Sequence, residues 1–368
     1  MINQERLLKR FLELVQIDSE TGNEKPVADY IEPILKQIGF EVFYDQANLK
    51  FPSNTGNLIA RRGNTDTPEA LLFSSHMDTV MPGLGVKPQV RDGYVYSDGT
   101  TILGGDDKAG IAAIIEALES AKDQNLDTKP IEIVFCIAEE GGLNGSKYLD
   151  YSLVKAKRGV VLDSGGAPGE VILRGPAQDK INVRIKGKPA HAGVCPEEGI
   201  SAIQIAASAI NRMQLLRIDE DTTANIGTIA GGQATNIVCP EVLIKAEARS
   251  QANDKLEKQT KHMVACFEAA ALEFGAVAEI EVERAYDAFS VSEDASIVQD
   301  VTQAMAALGI VAHYGSTGGG SDTNNYNRNG IEAVNLGIGM EKVHTLNERI
   351  ALVNLERSAD LVLQLIKG

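Results

Sequence analysis

The chain has 368 residues, enough for two domains or one large α/β unit, and is 43% hydrophobic and 23% charged, ordinary values for a globular protein. Its 51 acidic and 35 basic residues give a formal net charge of −16. That argues against a nucleic-acid partner, because phosphate binding needs a basic surface. No apolar run approaches the roughly 18–20 residues needed to cross a bilayer, so no membrane partner is expected. Cys136, Cys195, Cys239 and Cys266 are scattered, with no Cys-x-x-Cys pair. They read as small buried thiols in a reducing compartment, and a cytoplasmic protein is expected.

Residues 1–16 read as an amphipathic helix through Leu7, Leu8, Phe11, Leu14 and Val15, not as a signal-peptide core. After a break at 21–26, a second helix runs through Val27, Ile31, Ile34, Leu35 and Ile38 and closes at Gly39. Strands are predicted at 41–44, 57–61 and 70–75, followed by Gly- and Pro-rich loops with a short hairpin over 81–98. Gly104-Gly105-Asp106-Asp107-Lys108 opens a helix through Ile111, Ile114, Ile115 and Leu118. A buried strand over 131–138 ends in Glu139-Glu140, and another over 159–162 ends in Asp163. Apolar strands alternating with helices predict a three-layer α/β domain with a mostly parallel sheet.

The rhythm changes near Ala177. Strands at 180–186, 224–229, 242–249 and 277–283, with helices at 199–216 and 254–273, follow the order βαββαβ of a ferredoxin-like domain. The expected division is a first catalytic part over 1–176, an insert over 177–288 and a second catalytic part over 289–368. The last part is read as a helix at 295–308, a loop at 315–329, a strand at 333–336, a loop carrying His344, and a final helix at 354–366.

Ligands of open α/β sheets bind beyond the carboxyl ends of the strands, where His76, Glu139, Glu140 and Asp163 all fall. His76 and Asp78 are spaced i, i+2, which puts both on one side of an extended chain, one to bind a metal and one to orient the ring. With Asp106 and His344 they complete five candidate ligands, His76, Asp106, Glu140, Asp163 and His344, of the N and O types suited to zinc, cobalt or manganese. If one carboxylate bridges, five residues give two ions three ligands each. Of Glu139 and Glu140, one can then bind metal while its neighbour faces the water as general base and acid. Acidic residues at a helix start are also favoured by capping and the helix dipole, so spacing does not separate Asp106 from Asp107. The glycine pairs and the run Gly318–Gly320 form no G-x-G-x-x-G or Walker A motif and read as turns.

Five motifs in order, Ser75-His76-Met77-Asp78-Thr79, residues 98–110 (DGTTILGGDDKAG), Ala138-Glu139-Glu140-Gly141, Leu162-Asp163-Ser164 and Val343-His344-Thr345, resemble the co-catalytic zinc peptidases. That family includes peptidase T, carboxypeptidase G, succinyl-diaminopimelate desuccinylase and the aminoacylases, and the 98–110 stretch is most similar to the peptidase T (tripeptidase) branch. The resemblance implies two Zn2+ per subunit, with Co2+ or Mn2+ as substitutes. Asp106 would bridge, His76 and Asp163 would hold one ion, and Glu140 and His344 the other. Asp78 would orient His76, and Glu139 would be general base and acid. It further implies that the insert is a lid that closes over substrate and carries a homodimer contact. In the lid, His191 would donate to the oxyanion, and Asn236 and Arg249 would hold a substrate carboxylate. The expected activity is aminopeptidase action on short peptides bearing a free carboxylate, tripeptides favoured. An N-acyl-amino-acid deacylase is the alternative enzyme, and a silent metal-binding relative the rival outside catalysis.

Overall fold

The strands Leu71–His76 and Ile131–Cys136 are buried at every position, so the sheet they share needs cover on both faces, and helices supply it. The computed structural model describes residues 1–368 and resolves two units. The first comprises Met1–Arg174, Ser290–Thr317 and Ser321–Gly368, the second Gly175–Phe289 and Gly318–Gly320.

In chain order the strands are β1 (Glu41–Tyr44), β2 (Leu58–Arg62), β3 (Leu71–His76), β4 (Gln89–Arg91), β5 (Tyr94–Tyr96), β6 (Ile131–Cys136), β7 (Arg158–Gly165) and β8 (Glu170–Gly175). The second unit carries β9 (Ala177–Lys186), β10 (Leu216–Arg217), β11 (Thr222–Gly231), β12 (Glu241–Ser250) and β13 (Val277–Tyr286). The chain then returns through β14 (Phe289–Ser290), β15 (His313–Ser316), β16 (Glu332–Glu341) and β17 (Arg349–Ala351). The helices are α1 (Gln4–Val15), α2 (Lys25–Gln37), α3 (Gly105–Asp123), α4 (Asn144–Lys147), α5 (Ala202–Arg212), α6 (Asn253–Glu273), α7 (Ser296–Ala307), α8 (Asp322–Arg328) and α9 (Leu352–Leu365).

The large sheet runs β1-β2-β6-β3-β7-β16-β17-β5-β4. Along this path it is parallel only at its centre, β6-β3-β7-β16, and antiparallel at both margins; off the path, β15 pairs parallel with β8, which pairs antiparallel with β16. The expectation of a mostly parallel sheet therefore holds for the centre alone. The margins are built from close connections such as Asp92-Gly93, whose left-handed φ values of 50° and 77° suit the tight turn between β4 and β5. Helix α3 is buried over almost its whole length. Helix α1 is fixed to it by Arg6, whose Nε donates to the buried Glu116 carboxylate at 2.7 Å, and by Arg10, which meets Glu119 at 2.7 Å.

Three local departures matter for the site. Strand β6 stops at Cys136, so Glu139 and Glu140 lie beyond the strand in a turn. Strand β7 runs past Asp163, placing that residue inside it. The stretch expected as a loop at 315–329 contains α8, opened by a capping box between Ser321 and Asn324; the preceding glycine run masked that start.

In the second unit the antiparallel sheet β10-β11-β12-β9-β13 takes α5 and α6 on one face. Ile181, Val183 and Ile185 of β9 point into that core while Asn182, Arg184 and Lys186 point away, the alternation a one-sided sheet requires. The order βαββαβ is that of a ferredoxin-like fold, with β10 added at the margin.

Gly110 shows how closely α3 lies on the central strands. A Cβ there would stand 2.2 Å from Ser75 Oγ and 2.6 Å from both Asp107 Oδ1 and the Leu162 carbonyl oxygen. Gly110→Ala is expected to destabilise the protein by about 1–3 kcal/mol through overpacking. Denaturant unfolding measures this, and an unchanged midpoint would mean that α3 shifts freely.

Candidate metal centre

Two fully buried carboxylates shape the backbone around the cluster. Glu24 Oε1 accepts the Ala138 amide at 3.1 Å and the Gly22 amide at 2.8 Å. Asp78 Oδ1 accepts the Glu139 amide at 2.9 Å, and its Oδ2 accepts the Glu140 amide at 3.2 Å and the Thr21 hydroxyl at 2.7 Å. Three consecutive amides are thus fixed by side chains from outside the strand. Ala138 takes a left-handed φ of 48° there, a conformation a non-glycine residue holds only where its surroundings enforce it.

His76 closes β3. Its Nδ1 lies 2.9 Å from the Asp78 backbone carbonyl and 3.4 Å from the Asp78 carboxylate. The shorter contact is to the main chain, so Asp78 meets the ring chiefly through its carbonyl while its carboxylate serves the Glu139-Glu140 turn. A carbonyl only accepts, so Nδ1 carries the proton and Nε2 faces the carboxylates.

Asp106 stands between the two histidines. Its Oδ1 is 3.2 Å from His76 Nε2 and its Oδ2 is 3.2 Å from His344 Nε2. His76 Nε2 is also 3.7 Å from Asp163 Oδ1, and His344 Nε2 is 2.9 Å from Glu140 Oε1. The five candidate ligands therefore meet in two groups that share Asp106. Asp107 behaves differently: its Oδ1 accepts the Gly110 amide at 3.2 Å, and its other oxygen is buried without a hydrogen-bond partner. It too lies near His76 and Asp163.

The electrostatics call for cations. Burial alone would lower the His76 imidazole, but Asp106 and Asp78 hold it well above its ordinary range. Asp106 and Glu140 raise the half-exposed His344 to about 10. Burial lifts Asp106 too, yet the two histidines outweigh it and hold that carboxyl low, whereas burial keeps Glu139 and Asp163 well above the usual carboxylate range. Glu140 Oε1 is buried with no hydrogen-bond donor aligned on it. Carboxylates packed this closely ionise together only with positive charge between them. The donor set, two imidazoles and oxygen ligands, fits divalent ions of the zinc, cobalt and manganese kind.

Three supporting residues escaped the sequence reading. Glu348, 1% exposed, accepts the Leu103 and Gly104 amides at 2.8 Å each through Oε2 and the Asp106 amide at 3.0 Å through Oε1. Glu24 serves the other side of the cluster. Lys108, fully buried, donates to the Ile17 carbonyl at 2.7 Å, and burial brings its ammonium down to about 7. A buried charge leaves no periodic trace in a sequence; only Lys108, inside an apolar helix start, stood out of pattern.

His191, Asn236 and Arg249 belong to the second unit. The Ala192 amide donates to the Asn236 carbonyl at 2.9 Å, which draws the exposed His191 and Asn236 segments together. Arg249 Nε and Nη2 donate to Glu247 at 3.0 and 3.1 Å, and its Nη1 donates to the Gly318 carbonyl at 3.2 Å. The expected carboxylate-binding fork thus already grips a carboxylate of its own strand. His262 Nε2 accepts the Gln214 amide at 3.1 Å, and His313 lies exposed on β15.

Two histidines and a set of carboxylates gathered at the carboxyl ends of a parallel sheet centre define a metal-dependent hydrolase. Residues 72–368 match Peptidase family M20/M25/M40, and the chain belongs to that family. The crystal structure of aminopeptidase PepT from Bacillus cereus ATCC 10987 is 46% identical with a TM-score of 0.92, covering 99% of this chain and 98% of that one. That of a tripeptidase from Staphylococcus aureus subsp. aureus mu50 is 44% identical with a TM-score of 0.95, covering 100% and 98%. The protein YqjE of Bacillus subtilis (strain 168) is 46% identical over 367 residues, 100% of this chain and 99% of that one. Within the family the chain falls in the peptidase T-like branch.

Glu348 supplies a test of how the cluster is held. Glu348→Ala leaves three buried amides without an acceptor and is expected to weaken metal retention by about 10–100-fold, the usual effect of losing a group behind the ligands. Competition with a chromogenic chelator measures this, and unchanged retention would show that the Leu103–Asp106 segment holds its course unaided.

Proposed function

We propose that the protein is a di-zinc aminopeptidase that removes the first residue of short peptides, tripeptides above all. The observation that carries this reading is Asp106 facing His76 with one oxygen and His344 with the other, beside Glu139 on a turn whose amides are pinned by Asp78. In it, His76 and Asp163 would hold one ion and Glu140 and His344 the other, with Asp106 shared between them. Two such ions, when bound, acidify a water and polarise a scissile carbonyl.

Glu139 then takes the proton of the attacking water and delivers it to the leaving amine. It is buried beside the ligands with its amide held by Asp78, so its carboxyl has a fixed place next to the cluster. Asp78 keeps Glu139 and Glu140 in register, so base and ligand cannot drift apart. His191 is assigned to the oxyanion, and Asn236 and Arg249 to the substrate carboxylate. Arg249 reaches a substrate by exchanging Glu247 for it. The names of the two similar crystal structures, an aminopeptidase and a tripeptidase, support peptides as the substrate class. The inserted unit is proposed to act as the lid and to carry a homodimer contact. No helix is long and apolar enough to cross a membrane.

Glu139→Gln is expected to keep full metal content and lose about 10²–10⁴-fold in kcat; normal turnover by that variant refutes the assigned base. With zinc-loaded enzyme, a free tripeptide should be cleaved while its N-acetylated form and an N-acyl amino acid are not, and a chelator should abolish the cleavage. Cleavage of only the acylated compounds would make the protein a deacylase on the same metal centre.

A further inference from the structure

A cavity of about 180 Å³ in the first unit opens between the β4-β5 hairpin and the loop that carries His344. It is smaller than the roughly 300–1,000 Å³ that hold drug-sized ligands and opens to solvent through exposed residues such as Arg91 and Lys342, which suits an ion held at the surface. Among its lining residues are Arg91, Lys342, Arg349, Gln89 and Tyr96, with Asp98 the one carboxylate. On a chain with a net charge of −16, three cations converging on one small cavity are out of keeping with the rest of the sequence.

The cations are placed by the sheet. Arg91 pairs with Tyr94, and Tyr96 pairs with both Gln89 and Arg349, so these side chains share one face. Arg91 lies 4.5 Å from the centre of the Tyr96 ring, and Arg349 lies 4.8 Å from that of Tyr94. Stacking on tyrosine orients a guanidinium while leaving its edge donors free. Arg349 uses Nε and Nη2 on Glu341, at 2.8 and 2.6 Å. Arg91 and Lys342 have no carboxylate partner within 4.0 Å, whereas the Asp98 carboxylate is engaged by the Thr100 amide at 2.9 Å and lies 3.5 Å from Lys87. Arg91 and Lys342 are both exposed, so their donors are open to an anion arriving from solvent, and Gln89 beside them adds a neutral donor.

The same loop binds the cavity to the metal centre. Lys342 and His344 both adopt left-handed φ, 54° and 62°, which side-chain-bearing residues adopt at a cost. The Thr345 hydroxyl donates to the Lys342 carbonyl at 2.7 Å and accepts the Asn347 amide at 3.2 Å. Glu348 follows directly, holding the Leu103–Asp106 segment. An anion seated on Lys342 therefore acts on a closed turn that has His344 on one side and the Asp106 cradle on the other.

We propose that this cavity binds a small oxyanion of the phosphate or sulfate kind through Arg91, Lys342 and Arg349, and that the bound ion fixes the turn from which His344 projects. The binding site stands without the metal assignment; only its consequence for His344 rests on that reading.

Metal-loaded enzyme should be titrated with inorganic phosphate by calorimetry at constant ionic strength, beside Arg91→Ala and Arg91→Ala/Lys342→Ala. Hydrogen exchange of residues 342–347 should be followed with and without phosphate. The expected results are saturable binding to the parent, weakening of roughly tenfold or more in Arg91→Ala from loss of a charged hydrogen-bond partner, and slowed exchange in the parent alone. Equal binding to parent and variants would place the ion on the metal centre and overturn the proposal, as would no binding. Binding lost in the variants with exchange unchanged in the parent would overturn the coupling to His344 and leave the activity reading untouched.

Discussion

Carboxylates crowded into a buried space repel one another, and the first unit is organised to hold them there nonetheless. Asp106, Asp107, Glu139, Glu140 and Asp163 converge where water screens them little, against the imidazoles of His76 and His344. Coulomb repulsion at these separations is large in a poorly solvated site. The surrounding fold therefore supplies restraint at the backbone rather than at the side-chain tips. Glu24, Asp78 and Glu348 each accept several main-chain amides, so the segments carrying the ligands are set before any cation arrives. Such preorganisation is what a hydrolytic site needs, because a ligand that relaxes away from its ion forfeits both affinity and geometry.

The amide-gripping carboxylates also explain why polar residues penetrate so deep. A turn leaving a buried strand has unpaired N–H groups, and each must find an acceptor. Asp78 answers two such groups and Glu348 three, in places where a helix or strand partner is absent. The two hold different segments, one the Glu139-Glu140 turn and the other the approach to Asp106. Removing either releases a whole segment.

Much of this was legible in the sequence. The apolar runs at β3 and β6 announced a buried sheet, and the acidic or imidazole residue following each announced the site. The succession of strands and helices in the second unit likewise announced the order βαββαβ. What stayed hidden has a common physical origin. Glu24 and Glu348 act on distant backbone, a relation with no local period. The antiparallel margins depend on which strands become neighbours, and the capping box that starts α8 was obscured by the glycines before it. Asp106 and Asp107 were inseparable by spacing; only the fold shows one oxygen of Asp106 turned toward each histidine while Asp107 answers the amide of Gly110.

Gly318–Gly320 groups with the second unit although the residues on either side of it group with the first. The polypeptide thus passes between the two units four times rather than twice. Anyone transplanting the insert from one relative to another would leave part of it behind by cutting only at the two obvious junctions. The three glycines, one of which offers its carbonyl to Arg249, would have to travel with it, so the modular boundary of this architecture is a split one and recombination respecting it requires two simultaneous exchanges.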